Sequence, residues 1–430
     1  MRIDYTRLNA EDFSVKLREL PVVGEVALIN PTMTKHKWVE DELHLRSVLV
    51  RVKNGGTTFD ESDPEDGQVL SMGFPKFFNL DEYPPHTKLT LDLLDTNGHE
   101  VEFLPKLDGT LIIRSVIRTV HRDHNFPGSP GMTTLQVHFR TRGCHDLGEF
   151  EGPILALIRE RYPFLLDCTF EPEGPGTSML FEYVGPTNQI VVRYDEPELV
   201  ALMTVDHKGP HHHLRAPHPS TVAEMKHAEV TMSLLTDIPI RDHVIGHLSP
   251  LTGMEGFVSR VPCEKFGFTL LKWKTPWYIR LHGLRSNATP RYMREYCVRY
   301  ACYFMDSLKD QLARDGLDWE TISFIEPAAI EALDLIVNAA RRVVSVTARI
   351  LEQMDVMKAD GCEPARKDVA LMCKSVTETL GCSGLFSYAL MVALNKKEKA
   401  NDLEAAYLLG ISGAEFKSMK ARWAKEDGGI

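Results

Sequence analysis

The stretch that decides the fold of this chain reads VEFLPKLDG from residue 101 to residue 109. Within it, Lys106-Leu107-Asp108-Gly109 follows an apolar run and precedes a predicted strand, Leu111–Ile117. A lysine that acts as a nucleophile must be deprotonated and fixed in position. Gly109 allows either a tight turn or the close approach of a phosphate to the backbone. Taken alone, Lys106 could equally be a surface lysine beside a turn.

Two carboxylates follow downstream, each beside a predicted strand. Glu182 lies in Phe181–Pro186, which ends a predicted strand and leads into a turn, and Glu255 lies just before another apolar run. A carboxylate suits a ribose hydroxyl or a metal-bound water. The alternative for Glu255 alone is an ordinary turn residue.

The segment Leu270–Lys274 alternates between apolar and basic residues. Successive side chains of a strand point to opposite faces, so Lys272 and Lys274 are predicted to share one face. Two ammonium groups on one face suit a triphosphate, although an exposed strand face has the same pattern. The ordered set Lys-x-Asp-Gly, Phe-Glu, Glu-Gly-x-Val and Lys-x-Lys therefore predicts a nucleotide site.

These pieces resemble motifs I, III, IV and V of the nucleotidyltransferases that include ATP-dependent ligases and mRNA capping enzymes. Four further stretches resemble one branch, the phage RNA ligase 1 family that repairs cut tRNA. They are Phe74–Leu80, which contains Lys-Phe-Phe-Asn, Phe139–Gly143, where lysines are commoner in the family, Pro186–Val191, and Trp277-Tyr278. The resemblance covers roughly residues 40–285 and is loose over the rest of the chain.

The resemblance implies an enzyme that uses ATP and Mg²⁺ and carries AMP covalently on Lys106. It implies that Arg46 and Lys76 bind nucleotide phosphates and that Glu182 holds the ribose. The family's Arg-Gly pattern reads Arg46-Ser47 here, so Arg51 is an alternative to Arg46.

The resemblance also implies the groups that stabilise charge during nucleotidyl transfer. Glu255 would help to bind the catalytic metal, and Asp306 faintly matches a family aspartate near a metal. Lys272 and Lys274 would orient the triphosphate and stabilise charge at the α-phosphorus. The implied partner is RNA with 5′-phosphate and 3′-hydroxyl ends, nicked tRNA among the candidates. No obligate protein partner is evident.

The bulk composition of the 430 residues is that of a globular protein, with 43% hydrophobic and 25% charged residues. No apolar run approaches the length of a membrane span, and the N-terminus shows no signal segment. The 8 cysteines are scattered, without a disulfide framework. We expect no membrane association and a cytoplasmic location, in a host cell if the chain is phage-encoded.

The net charge of −11 is unevenly distributed along the chain. Acid is concentrated at residues 60–66 and 81–102. A basic run with little acid follows, and local charge rather than total charge steers a polyanion. The alternative interpretation is a solvated face. The run comprises Arg260, Lys265, Lys272, Lys274, Arg280, Arg285, Arg291, Arg294 and Arg299.

The pattern of elements predicts an α+β chain with two domains. Residues 1–286 are rich in short predicted strands and are expected to form a nucleotidyltransferase domain of antiparallel sheets with flanking helices. Residues 287–430 are expected to form an all-α domain that confers RNA specificity. Two Asn-Gly sites, at residues 54–56 and 97–98, predict hairpin turns, and Glu151–Tyr162 and Ala365–Leu380 predict helices. Ile190–Tyr194 is predicted to be a strand.

Other candidate sites are weaker. The loop 208–219 holds three successive histidines, His211-His212-His213, which with His207 and His218 could bind a metal but are more often solvated. A tyrosine stripe from Tyr292 to Tyr303 could stack bases but has the spacing of a packed helix face. No Gly-x-x-x-x-Gly-Lys-Ser/Thr loop is present, so no P-loop kinase is expected.

Two other classes of function compete with RNA ligation. DNA ligases and capping enzymes share the lysine motif but usually continue into an OB-fold with an Arg-x-Asp-Lys element, which is absent from this sequence. A degenerate, binding-only module that senses RNA ends is the other class, although every catalytic residue type is present in order.

Overall fold

The computed structural model of the protein describes residues 1–32, 38–79, 82, 100–121, 132–170, 174–235, 240–287, 310, 313–314, 345–346, 348–361 and 365–379. The chain divides into two units, Met1–Ile279 and Arg280–Ile430. The first unit is built from three sheets with helices, which confirms a mixed α+β architecture. Within the described residues, no helix combines the length and apolarity that a membrane crossing requires.

The strands of the first unit are numbered in chain order. They are β1 (Phe13–Leu20), β2 (Gly24–Pro31), β3 (Val48–Arg51), β4 (Val69–Met72), β5 (Phe78–Asn79), β6 (Glu100–Lys106), β7 (Thr110–His121), β8 (Met132–Thr141), β9 (Thr177–Val184), β10 (Glu198–Asp206), β11 (His213–Arg215), β12 (Met232–Leu235), β13 (Gly256–Cys263) and β14 (Gly267–Lys274). α-Helices span Glu151–Arg161, Pro219–Glu224, Ile240–Leu248, Pro276–Asn287 and Arg366–Thr379. Short 3-10 helices span Glu40–Glu42, Asn54–Gly56, Gly148–Phe150, Pro163–Leu166 and Pro186–Asn188.

The first sheet is an antiparallel meander in the order β1-β2-β3-β4. Its strands β3 and β4 are buried throughout, as their mainly apolar composition favours. The predicted hairpin at Asn54–Gly56 is wrong. These residues form a 3-10 turn early in the longer connection from β3 to β4. The second predicted hairpin, at residues 97–98, lies outside the described residues.

The second sheet has the order β11-β10-β9-β7-β8. The helix Glu151–Arg161, which agrees with the predicted Glu151–Tyr162, packs on this sheet. Its Ile154 and Ile158 are both 0% exposed and share a core with Ile112 and Phe181. This core supports β7, which follows the lysine motif, and β9, which pairs with β7.

The third sheet, β12-β6-β13-β14-β5, carries the strand that ends at Lys106. Its pairs are antiparallel except for β14 with β5, which is parallel, so the expectation of purely antiparallel sheets is wrong for this edge. The helix Ile240–Leu248 contributes Val244 and Leu248 to a core beneath the sheet with Leu271 and Trp273. Full burial of such side chains contributes roughly 1.5–3 kcal/mol each.

The predicted strand Ile190–Tyr194 is wrong, because residues 190–192 form bends and residues 193–194 are irregular, between the 3-10 helix Pro186–Asn188 and β10. The carboxylate of Asp108 accepts hydrogen bonds from the backbone N–H groups of Val191 (2.7 Å) and Val192 (2.8 Å). Those bonds occupy the donors that a neighbouring strand would need, so the segment stays out of the sheet.

The second unit is described in part. Every described residue between 310 and 359 is helical, with a continuous stretch at 348–359, and Arg366–Thr379 agrees with the predicted helix Ala365–Leu380. The buried residues Val369, Cys373 and Val376 fall at spacings of three and four, which is one face of a helix. An all-α second domain therefore stays a prediction for the remaining residues.

Candidate active site

The pairing register of the third sheet brings two of the predicted lysines to the same place. Gly256, the first residue of β13, pairs with Lys106 at the end of β6 and with Lys274 at the end of β14. Gly256 has φ +144°, and an added Cβ would lie 1.9 Å from the carbonyl oxygen of Trp273. A residue with a side chain therefore cannot occupy this position without shifting the strands that carry both lysines.

Glu255 lies directly before Gly256 and joins the two lysines. Its Oε2 is 2.6 Å from Nζ of Lys106, and its Oε1 is 3.1 Å from Nζ of Lys274. The Glu255 side chain is 3% exposed, whereas the lysine side chains are 20% and 26% exposed. One buried carboxylate thus fixes two ammonium groups that remain accessible from one side.

Lys272 lies on the same face of β14 as Lys274, while Leu271 and Trp273 on the other face are each 1% exposed. The alternation of apolar and basic residues therefore predicts correctly which side chains share a face of β14. Nζ of Lys272 lies 4.4 Å from the ring centroid of Phe77. Burial, reinforced by the positive charges of Arg46, Lys106 and Lys76, lowers the pKa of Lys272 to about 6.

Lys76 comes from the segment just before β5, and its backbone N–H donates to the carbonyl of Leu43 at 2.7 Å. Its Nζ lies 4.8 Å from the ring centroid of Phe78. Burial lowers the pKa of Lys76, opposed by the carboxylate of Glu82 at 3.8 Å and reinforced by the charge of Arg46.

The structure distinguishes between the two arginines left open by the sequence. The guanidinium of Arg46 lies 5.9 Å from the ring centroid of Phe77, beside Lys272, and burial lowers the pKa of Arg46 to about 10, with Arg142 adding to the effect. The guanidinium of Arg51 instead donates to the backbone carbonyls of Val23 and Arg118 at 2.7 and 3.0 Å. Arg46 therefore belongs to the cluster of cations, and Arg51 has a structural role.

Glu182 lies on β9 beside the lysine motif. Its Oε1 accepts a hydrogen bond from the backbone N–H of Gly109 at 3.1 Å. Burial raises the pKa of Glu182 to about 8, with Lys106 opposing the shift and Glu255 adding to it. An added Cβ at Gly109 would lie 2.2 Å from the carbonyl oxygen of Tyr183, so this glycine allows the motif to approach β9.

Two residues at this site, Tyr278 and Tyr194, were not among the candidates from the sequence. The hydroxyl of Tyr278 donates to Oδ1 of Asp108 at 2.7 Å, and the backbone N–H of Asp108 donates to the hydroxyl of Tyr194 at 3.0 Å. Burial is the main cause that raises the pKa of both tyrosines, that of Tyr194 to about 12. The one signal for Tyr278 was its place in Trp277-Tyr278.

Two cations of the predicted basic run pair with acids from elsewhere in the chain. Arg260 forms an ion pair with Glu102, and Lys265 forms one with Glu40. Lys272 and Lys274 point into the cluster described above. The last three arginines of the run, and the candidate metal ligand Asp306, lie outside the described residues.

The histidine-rich loop is not uniformly solvated as expected. His207 and His212 are buried, and the ring of His212 stacks on Phe266 at 4.7 Å. Burial lowers the pKa of each to about 3. Across the described part of the chain, no three His, Cys, Asp or Glu side chains are placed to share a metal ion.

The five cations of this cluster, Arg46, Lys76, Lys106, Lys272 and Lys274, suit a polyphosphate. Mg²⁺ usually binds through one or two carboxylates together with phosphate oxygens of the substrate, rather than in a cage built by the protein alone. The buried Glu255 supplies such a carboxylate. The side chains of this cluster therefore fit a nucleotide triphosphate with a divalent metal.

Comparisons with known proteins give partial matches. No family model matches the chain. A protein of Thermovibrio ammonificans provisionally named an RNA ligase is 26% identical over 232 residues, which are 53% of this chain and 52% of the relative. The chain thus spans about half the length of this curated relative.

Two solved structures show weak likenesses. An archaeal ATP-dependent RNA ligase (form 1) is 13% identical, with a TM-score of 0.38 and coverage of 76% of both chains. A protein of Aquifex aeolicus provisionally named an ATP-dependent DNA ligase is 10% identical, with a TM-score of 0.35 over 87% of this chain and 95% of that chain. Scores this low assign neither fold nor function.

Proposed function

We propose that this chain is an ATP-dependent RNA ligase of the phage RNA ligase 1 type. The observation that carries the proposal is the shared carboxylate of Glu255, which holds Lys106 of the Lys-x-Asp-Gly motif beside Lys274. A lysine placed this way at the rim of a cation cluster is suited to attack a phosphorus atom. The partial match to a relative named as an RNA ligase supports the choice of RNA.

In the first step, the neutral amine of Lys106 attacks the α-phosphorus of ATP. A P–N bond forms, the bond between the α-phosphorus and the bridging oxygen breaks, and pyrophosphate leaves. Oε2 of Glu255, 2.6 Å away, accepts the proton that leaves the ammonium before attack, and the second N–H proton, lost as the P–N bond forms, leaves with pyrophosphate. A bound Mg²⁺, held by Glu255 and phosphate oxygens, would neutralise charge that develops on the phosphoryl oxygens.

The remaining residues of the cluster orient the nucleotide. Lys272, Lys274, Lys76 and Arg46 face the triphosphate, and their positive charges stabilise pyrophosphate as it leaves. Glu182 holds a ribose hydroxyl. At neutral pH this carboxyl is largely protonated, since its pKa is raised to about 8, and it can both donate and accept a hydrogen bond.

Two further steps join the RNA ends. A 5′-phosphate oxygen attacks the phosphorus of lysine–AMP, which releases Lys106 and gives a pyrophosphate-linked AppRNA. A 3′-hydroxyl then attacks the 5′-phosphate phosphorus, AMP leaves, and a phosphodiester is formed. We assign residues 1–286 to nucleotidyl transfer and residues 287–430 to recognition of RNA, with nicked tRNA as the substrate, because folded RNA is recognised largely by shape and backbone.

Incubation with α-labelled ATP and Mg²⁺, followed by denaturing electrophoresis, tests the first step. The wild type should become labelled, and both Lys106→Ala and Lys106→Arg should not, because a guanidinium stays charged and cannot attack. Lys53→Arg is a matched control, since Lys53 pairs with Glu65 on the protein surface away from the cluster. An adduct mapped by mass spectrometry to another lysine, or an unlabelled wild type, would refute the proposal.

The choice of RNA is tested separately. Nicked tRNA, linear single-stranded RNA and a nicked DNA duplex are offered side by side to the wild type. Sealing of nicked tRNA in preference to the other two is expected. Preferential sealing of the DNA duplex would identify a DNA ligase, and adduct formation without any sealing would favour a capping-type nucleotidyltransferase.

A further inference from the structure

Arg140 on β8 is a cation buried completely inside the first unit, with 0% of its surface exposed. Burial lowers its pKa to about 9, and no carboxylate pairs with it among the described residues. Burial of a charge without a partner of opposite charge destabilises a fold. An apolar side chain at this position would avoid that cost, so packing alone does not account for an arginine.

Two of the four hydrogen bonds that the guanidinium of Arg140 donates go to Ser47, and one goes to the carbonyl oxygen of Thr141 at 3.3 Å. Nη1 donates to Oγ of Ser47 and Nη2 donates to its carbonyl oxygen, both at 2.7 Å, while Nε donates to Oγ of Ser71 at 2.8 Å. The backbone N–H of Ser47 donates to Oδ1 of Asn30 at 3.0 Å. All three polar groups of Ser47 are therefore held, two of them by Arg140.

Ser47 has φ +60°, a left-handed conformation that residues other than glycine adopt with strain. Its carbonyl also accepts a hydrogen bond from the backbone N–H of Gly73 at 2.8 Å. Arg46 directly precedes this turn, so the backbone conformation at Ser47 fixes the direction in which the side chain of Arg46 points.

The geometry leads us to propose that Arg140 is a positioning residue, which holds Ser47 in its left-handed turn and thereby aims Arg46 at the nucleotide phosphates. This inference rests on the proposed function. Arg140 touches neither Lys106 nor the nucleotide in this scheme. It acts only through the pair Arg46-Ser47. Hydrogen bonds from the buried guanidinium of Arg140 hold Ser47 in the left-handed conformation that a glycine at this position would adopt without strain.

The test measures how the rate of ligase–AMP formation depends on ATP concentration in the full-length protein. Arg140→Lys and Arg140→Met should raise KM for ATP by on the order of tenfold to a hundredfold, since a small displacement of a binding group has effects of this size. The maximal rate should change less than KM. Arg114→Met is the matched control, because Arg114 is almost equally buried (1% exposed) but donates to the carbonyl oxygens of Leu165 and Asp167 rather than to Ser47.

Two combinations distinguish positioning from stability of the core. Arg140→Lys added to Arg46→Ala should raise KM no further than Arg46→Ala alone, because coupled residues are not additive. Ser47→Gly added to Arg140→Met should restore part of the ATP affinity, because glycine adopts φ +60° without strain. Arg140→Lys retains a positive charge, and its KM for ATP tests the proposal if Arg140→Met does not fold.

The outcomes separate the inference from the function on which it rests. If the rises in KM caused by Arg140→Lys and Arg46→Ala multiply in the double variant, the positioning role alone is overturned. An equal rise of KM in Arg114→Met would also overturn it. A wild-type protein that forms no adduct, and binds no ATP by calorimetry, would overturn the proposed function and this inference together.

Discussion

Oδ1 of Asp108 accepts a 2.7 Å hydrogen bond from the hydroxyl of Tyr278, although the two residues lie 170 positions apart in the sequence. Asp108 is 2% exposed and Tyr278 is 3% exposed. The bond ties the loop of the lysine motif to the helix Pro276–Asn287, which follows β14 directly. The strand that carries Lys272 and Lys274 is thus linked at its end to the loop that follows Lys106.

Tyr278→Phe should slow ligase–AMP formation more than its effect on stability explains. Loss of this hydrogen bond should lower the free energy of unfolding by about 1–3 kcal/mol, because Asp108 loses one of its donors in a buried site. Displacement of the motif loop should slow the labelling of Lys106 by on the order of tenfold. Thermal unfolding and single-turnover labelling with α-labelled ATP measure the two effects.

Tyr162→Phe is the matched control for Tyr278→Phe. The hydroxyl of Tyr162 also donates to a buried carboxylate, that of Glu198, but it lies in the core under the helix Glu151–Arg161. A similar loss of stability with an unchanged labelling rate is expected. Equal slowing by both variants would show that the labelling rate merely follows stability.

Lys272→Ala should separate the steps of the reaction. Its ammonium is assigned to the triphosphate, which is absent from a pre-adenylylated RNA, so labelling by ATP should fall at least about a hundredfold, as for loss of a charge-stabilising group. Sealing of pre-adenylylated RNA should fall much less. The comparison uses labelled ATP in one assay and AppRNA in the other.

Lys265→Ala is the control for this prediction, because Lys265 precedes β14 but pairs with Glu40 at the surface. Neither step should change in that variant. Normal levels of ligase–AMP in Lys272→Ala would show that the proposed role of β14 is wrong.

ATP binding should be accompanied by proton uptake above about pH 6. The pKa of Lys272 is lowered to about 6 in the free protein, mainly by burial, so its amine is mostly neutral at neutral pH. A bound polyanion favours the ammonium form and raises this pKa. ATP affinity should therefore fall as pH rises above about 6, toward the pKa of the complex.

Calorimetry of ATP binding in buffers with different ionisation enthalpies measures the number of protons taken up. Lys272→Arg should reduce the uptake, because its guanidinium is already charged. Glu182→Gln shows how much of the proton uptake comes from Glu182, whose pKa is raised to about 8 by burial. Unchanged uptake in Lys272→Arg would rule out this residue as the source.

A protein truncated after Asn287 should still form ligase–AMP but lose its preference for nicked, folded RNA over a linear single strand. The described cations and carboxylates of the site all come from the first unit, Met1–Ile279. Labelling and sealing of both RNAs are compared with those of the full-length protein. An unchanged preference would refute the recognition role of residues 287–430, and a folded but unlabelled truncation would show that nucleotidyl transfer needs them.

The sequence alone predicted the features that depend on neighbouring residues. The alternation of Leu271 and Trp273 with two lysines predicted which side of β14 would be buried, because a strand has a period of two. Helical spacing predicted Glu151–Tyr162, and the order of motifs along the chain predicted which lysine and which carboxylates to consider together.

Only the tertiary structure decided which of these groups meet and what holds them. Glu255 pairs with Lys106 across 149 positions, and Asp108 draws Val191 and Val192 out of the strand that their own composition favours. Arg46 rather than Arg51 joins the cations, because Nη1 and Nη2 of Arg51 donate to the backbone carbonyls of Val23 and Arg118. Local periodicity carries no information about such partners, since they are set by the register of strands that are distant in sequence and by the need of each buried polar group for a hydrogen bond.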